Sequence, residues 1–244
     1  MSATPEPPDQ HLHIGHEHSD VTGGWLRPAV FGAMDGLVSN AALIAGVAGG
    51  TGGANSKAVI LAGLAGLAAG AFSMAAGEYT SVASQSESAA REIDKERHEI
   101  TTNPMAEEAE LAAMYVKKGL DRELAQQVAE QIHRDVERAV GVHAREELGV
   151  DPGDLASPML AAVSSFFAFT VGAVIPVFPY LVGSTVLWPA MLVSLIALFV
   201  CGAVVTSVTN RHWIYGGVRQ LLLGAGAAAL TYGFGYLVGG TGLG

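Results

Sequence analysis

Glu96 and Glu99, followed by Glu107 and Glu110, form two acidic pairs at i,i+3 spacing on either side of Asn103-Pro104. On helices, each pair shares one face, and like charges at that spacing repel by a few tenths of a kcal/mol. A cation bound between them relieves that repulsion, and oxygen ligands in such number suit a divalent metal. The competing reading is an ordinary solvated face, with Lys95 and Arg97 close in sequence to offset the charge. Further along, "VHAREELG" supplies His143, Glu146 and Glu147, which are ligand types of the same kind.

A second set of groups lies where charge is costly. Asp35 sits in "FGAMDGLVSN", and "GAFSMAAGEY" sets Met74 and Glu78 four residues apart on one helical face, all within apolar runs. An aspartate at the centre of a bilayer costs roughly 2.5–3.5 kcal/mol on insertion scales, so intramembrane carboxylates tend to mark pathways. A thioether beside a carboxylate suits a transition metal better than Ca²⁺ or Mg²⁺. Alternatively, Glu78 merely reaches lipid headgroups and Asp35 hydrogen-bonds Ser39 or Asn40. The start of the chain adds His11, His13, His16 and His18, a tract capable of loose metal capture that resembles no defined site.

Other chemistries lack their parts. Glu130 and His133 form an E-x-x-H, but a di-iron bundle needs two such motifs and two further glutamates, and the second motif is missing. No G-x-S-x-G elbow, P-loop or dinucleotide fingerprint occurs, which argues against a hydrolase, ATP-driven transport and an organic cofactor.

These residues are positioned by an unusually apolar chain. Of its 244 residues half are hydrophobic, 15% are charged and 31 are glycine, a balance that fits a membrane protein. The net charge of −10 argues against a nucleic-acid partner, and a single cysteine, Cys201, rules out an intramolecular disulfide. Five segments approach the roughly 20 apolar residues a spanning helix needs, near 28–50, 58–82, 158–182, 187–209 and 216–239. Short turns should make antiparallel hairpins of the first and second and of the third and fourth. "GAMDG", "GLAAG" and "GYLVG" repeat the small-xxx-small spacing of close helix contacts, and Pro176 and Pro179 should bend the third segment near one end.

The first 24 residues are polar and lack the pattern of a secretory signal, so the amino end is expected in the cytosol. That orientation puts Arg27, nine basic residues between the second and third segments, Arg211 and Arg219 on the cytosolic side, leaving only Lys57 outside. Residues 83–157 are polar, rich in Glu and helical in pattern. "SVASQSESAAREIDKERHEI" contains no breaker and can prolong the second segment to Asn103-Pro104, where a new helix starts. Gly119 should end that helix, Asp121 should cap another running to about Val140, and a short piece should follow to Gly149. The expected organisation is therefore a tail (1–24), two spans (25–82), a cytosolic helical unit (83–157) and three spans (158–244).

From Trp25 onward the chain resembles the vacuolar iron transporter family, in its bacterial branch. The likeness is carried by "DGLVSN", "SMAAGEY" with "SESAAREIDKERHEI", "EELG" and "VGAVIPVFPY". It implies an all-α fold of five transmembrane helices, a cytosolic metal-binding domain inserted between the second and third, and a homodimer with its pathway at the two-fold interface. The family's domain glutamates match Glu96, Glu99, Glu107, Glu110 and Glu147; its intramembrane aspartate matches Asp35 and its pore methionine Met74. Plant members differ in carrying a methionine pair where this chain has His143 and Ala144, and Gly where it has Glu78.

The resemblance implies export of Fe²⁺, and of Mn²⁺, from the cytosol across a bacterial inner membrane against a counterflow of protons, with no enzymatic activity. The metal ligands expected are Glu96, Glu99, Glu107, Glu110, His143, Glu147, Asp35, Met74 and Glu78. The rival readings are a membrane-anchored ferritin-like iron-binding or oxidase protein and a metal sensor. Asp35 and Met74 discriminate against both, because an anchor needs neither.

Overall fold

The computed structural model describes residues 24–53, 55–208 and 212–241; the four tail histidines and Arg211 lie outside them. The described residues form eight α-helices and no strand: α1 (Leu26–Gly50), α2 (Ser56–Thr102), α3 (Pro104–Lys117), α4 (Arg122–His133), α5 (Val136–His143), α6 (Pro158–Leu181), α7 (Trp188–Val208) and α8 (Trp213–Gly240). Five of them, α1, α2, α6, α7 and α8, are long and apolar enough to cross a membrane. At 47 residues α2 is about 70 Å long. That exceeds the about 30 Å hydrocarbon core of a bilayer, so the polar half of α2 must project beyond it.

Helix α1 is the hub, touching α2, α6, α7 and α8. The two expected hairpins do touch, yet the larger interfaces of α1 are with α6 and α8, and α6 also lies along α2. Glycine makes this closeness possible. A Cβ on Gly36 would stand 2.3 Å from the carbonyl oxygen of Phe169, and one on Gly172 2.3 Å from that of Ala33, so backbone meets backbone between α1 and α6. Gly235 and Gly239 play the same part against Gly46 and Gly50. The glycine spacings thus seat contacts within one chain. Pro176 and Pro179 lie buried inside a continuous α6.

Beyond the apolar half of α2, Ile93, Glu96 and Ile100 fall at i, i+3 and i+7 and share a face. The two isoleucines pack on Ala139, Val140 and Ala144, which draws Glu96 inward with them. Helices α3 and α4 close on one another through Leu111, Ala112 and Ala129. Gly119, at φ 102, stops α3 as expected.

One expectation needs correcting. In place of a single helix from Asp121 to about Val140, α4 ends at His133 and α5 begins at Val136. The side chain of Asp135 accepts a hydrogen bond from the Arg138 N–H and starts the new helix. Asn103 and Asp121 occupy cap positions, but neither side chain makes the capping hydrogen bond. Residues Ala144–Leu148 then form a π-helical turn that ends at Gly149 in the left-handed region, φ 67.

Candidate functional site

Helix α5 and its π-turn carry His143 and Glu147 onto the buried face of α2. His143 is fully buried, and its Nδ1 lies 2.8 Å from Glu147 Oε1 and 2.9 Å from Glu96 Oε1. One imidazole nitrogen carries at most one proton, so it can serve only one of two carboxylates. The hydrogen bond goes to Glu147, and Glu96 Oε1 is buried without a hydrogen-bond partner. An unsatisfied buried oxygen is expensive, and a cation or a proton removes the cost.

The geometry admits a cation as well as a proton. Single ligand atoms from Glu96, His143 and Glu147 lie within 4.8 Å of one another. An octahedral ion with bonds of about 2.1 Å holds adjacent donors about 3 Å apart, a spacing close to the hydrogen-bond distances around Nδ1. Burial, reinforced by the Glu147 charge and opposed by His143, pushes the Glu96 carboxyl up to about 6. Glu107 is also raised, by burial first and then by Glu110.

The other expected ligands of this region stand around that core. Glu107 and Glu99 are half-buried and add to the field on Glu96, whereas Glu110 is exposed. Glu99 also lies 3.9 Å from Lys95, and Glu146 is ion-paired with Lys118. In sequence His133 belongs only to an incomplete E-x-x-H, yet its ring meets that of His143 edge-on at 5.2 Å. Its Nδ1 faces the Ala129 carbonyl at 3.0 Å, and the Nε2 atoms of both rings are buried without partners.

Among the apolar helices, α1, α2 and α6 form an open pocket of about 220 Å³ lined by Asp35, Ser39, Asn40, Met74 and Phe169, among others. Asp35 and Met74 thus line one space. Glu78, one turn beyond Met74, is half-buried and does not line it. Ser39 donates its hydroxyl to the Asp35 backbone carbonyl at 2.6 Å, and Asn40 donates its amide to the Ala173 carbonyl at 2.6 Å. Neither donor is directed at the Asp35 carboxylate, so the hydrogen bonds expected there from Ser39 or Asn40 go to backbone carbonyls instead.

A helical bundle with five apolar helices, a carboxylate and a thioether lining one pocket among them, and a carboxylate–imidazole cluster that could hold a metal ion defines the class of an integral membrane protein. The sequence model of the VIT family matches residues 26–236, and the chain belongs to that family. It is 38% identical over 240 residues to a vacuolar iron transporter of Acanthamoeba castellanii, covering 91% of this chain and 83% of the relative. It is 30% identical over 228 residues to vacuolar iron transporter 1 of Oryza sativa subsp. japonica, covering 91% and 89%. To vacuolar iron transporter 1 of Arabidopsis thaliana it is 29% identical over 231 residues, covering 93% and 92%.

Proposed function

We propose that this protein exports Fe²⁺, and Mn²⁺ with it, from the cytosol in exchange for protons. The observation that carries the reading is that Asp35 and Met74 line one pocket between apolar helices. A hard carboxylate and a soft thioether together suit a borderline ion such as Fe²⁺, and an anchor has no use for them. The names of the relatives agree with iron as cargo.

In this reading residues 83–157 form a cytosolic unit that gathers the ion. Glu96, His143 and Glu147 hold it first, and Glu99, Glu107 and Glu110 supply further oxygens and negative field. The excess of Lys and Arg on the same side as the unit supports its cytosolic placement. Asp35 and Met74 then take the ion across, and Glu78, a titratable group one turn beyond Met74, handles the counter-moving proton. A homodimer is part of the proposal. It rests on the family likeness and on the apolar face of α2 that leaves Leu61, Leu64 and Phe72 exposed.

Expression in an iron-sensitive bacterial host tests the reading. The intact protein should lower cytosolic Fe²⁺ and restore growth in excess iron, and Asp35→Asn should do neither. Equal protection by Asp35→Asn would remove the membrane cavity from the mechanism.

A further inference from the structure

We infer that Asn40 is a second cation station in the membrane pathway, presenting its side-chain oxygen to the ion beyond Asp35 and Met74. The inference deepens the transport reading and rests on it. Asn40 is only 2% exposed, deep between α1 and α6. Its Nδ2 donates to the Ala173 carbonyl at 2.6 Å, and since a carbonyl can only accept, this bond fixes which end of the amide is nitrogen. The oxygen is therefore the other end. Asn40 Oδ1 is buried without a hydrogen-bond partner, and Asn40 lines the same cavity as Asp35 and Met74.

A fixed, desolvated amide oxygen without a donor is an incomplete coordination shell. It complements a cation as backbone carbonyls do in selectivity filters, because it gives up no proton when the ion arrives. Asn40 comes five positions after Asp35, which sets it about 7.5 Å farther along α1. Gly66 of α2 lies opposite: a Cβ there would stand 3.1 Å from Asn40 Oδ1 and 2.4 Å from Leu43 Cδ2. The missing side chain leaves room that Leu43 Cδ2 occupies, and the end of this flexible side chain has to swing aside to bring an ion to the oxygen. An ion leaving the anionic Asp35 thus meets a neutral oxygen, which binds it more weakly and releases it more readily.

The competing role for Asn40 is a brace between α1 and α6. Fe²⁺ flux into liposomes, measured under reducing conditions with the full chain, separates the two. Asn40→Leu removes both the oxygen and the brace. Asn40→Asp keeps an oxygen at the cavity, adds charge, and loses the donor to Ala173. A ligand role predicts flux lowered about tenfold or more in Asn40→Leu and a lower half-saturating Fe²⁺ concentration in Asn40→Asp. Equal impairment of both variants, with half-saturation unchanged in Asn40→Asp, would make Asn40 a brace and overturn the inference. Gly66→Ala leaves Asn40 and its bond to Ala173 intact while setting a methyl before the oxygen. It should also lower flux about tenfold, and undiminished flux there would overturn the inference even if the Asn40 variants fail to fold. Absence of flux in the unaltered chain would instead overturn the transport reading, and this station with it.

Discussion

The Nδ1 atom of His143 stands 2.8 Å from Oε1 of Glu147, and the two side chains meet across a π-helical turn that ends at Gly149. A turn of this kind is wider than an α-turn and recurs at functional sites. Here it sets both groups against Glu96 of α2, so that three ligand atoms from two distant stretches of chain converge.

That convergence predicts a graded loss of metal binding. Glu96→Gln, His143→Ala and Glu147→Gln should each weaken Mn²⁺ or Fe²⁺ binding to the full chain by about tenfold or more. Replacing Glu96, Glu99, Glu107 and Glu110 together by Ala should remove most of the bound metal. Titration calorimetry in detergent reads both, and unchanged binding in the fourfold variant would return these glutamates to a solvated face.

The Glu96 carboxyl, raised to about 6 in the folded protein, predicts the sign of the pH dependence. A raised pKa means that the folded state favours the protonated form, so the contribution of Glu96 to stability is present below its unfolded value near 4.5 and is lost as pH rises through about 6. Metal competes with that proton. Metal affinity should therefore fall by up to about tenfold per pH unit below about 6, and thermal stabilisation by added Mn²⁺ should be larger at pH 7 than at pH 5. Equal stabilisation at the two pH values would contradict the assignment.

Packing of α1 on α6 supplies a prediction about stability alone. Gly36→Ala places a methyl 2.3 Å from the Phe169 carbonyl oxygen, and backbone cannot step aside as a side chain can. The variant should lose about 1–3 kcal/mol, seen as a lower unfolding temperature in detergent. Gly77→Ala, with nothing within 4 Å of the added methyl, serves as its control and should lose no stability, gaining up to about 1 kcal/mol from helix propensity.

The five apolar helices were readable because each span must exceed a length the bilayer sets, and the unbroken stretch after Tyr79 announced the continuous α2. The split between α4 and α5 was not readable, since Arg134 and Asp135 carry no glycine or proline and the new helix starts on one side-chain hydrogen bond. The spacing of His143 and Glu147 was visible as i,i+4. Their meeting with Glu96, nearly fifty residues earlier in the chain, depends on Ile93 and Ile100 docking on Ala139 and Val140. Asn40 drew notice only as a partner for Asp35. Which end of its amide is left unpaired depends on the carbonyl of Ala173, 133 residues away.

Substitutions beside the cavity should separate the metal from the proton. Met74→Leu removes a soft ligand without touching a titratable group, and should slow Fe²⁺ flux while leaving its response to a pH gradient intact. Glu78→Gln keeps the shape but cannot titrate, so it should retain downhill flux and lose that response. Normal coupling in Glu78→Gln would leave Asp35 as the coupling carboxylate.

The most direct test of the account is Fe²⁺ flux through the purified full chain in liposomes, measured with and without an opposing proton gradient. The account predicts metal flux that accelerates with the gradient and acidifies the compartment the metal leaves. Flux indifferent to the gradient, with no proton movement, would contradict exchange. No flux beyond protein-free liposomes would contradict transport itself.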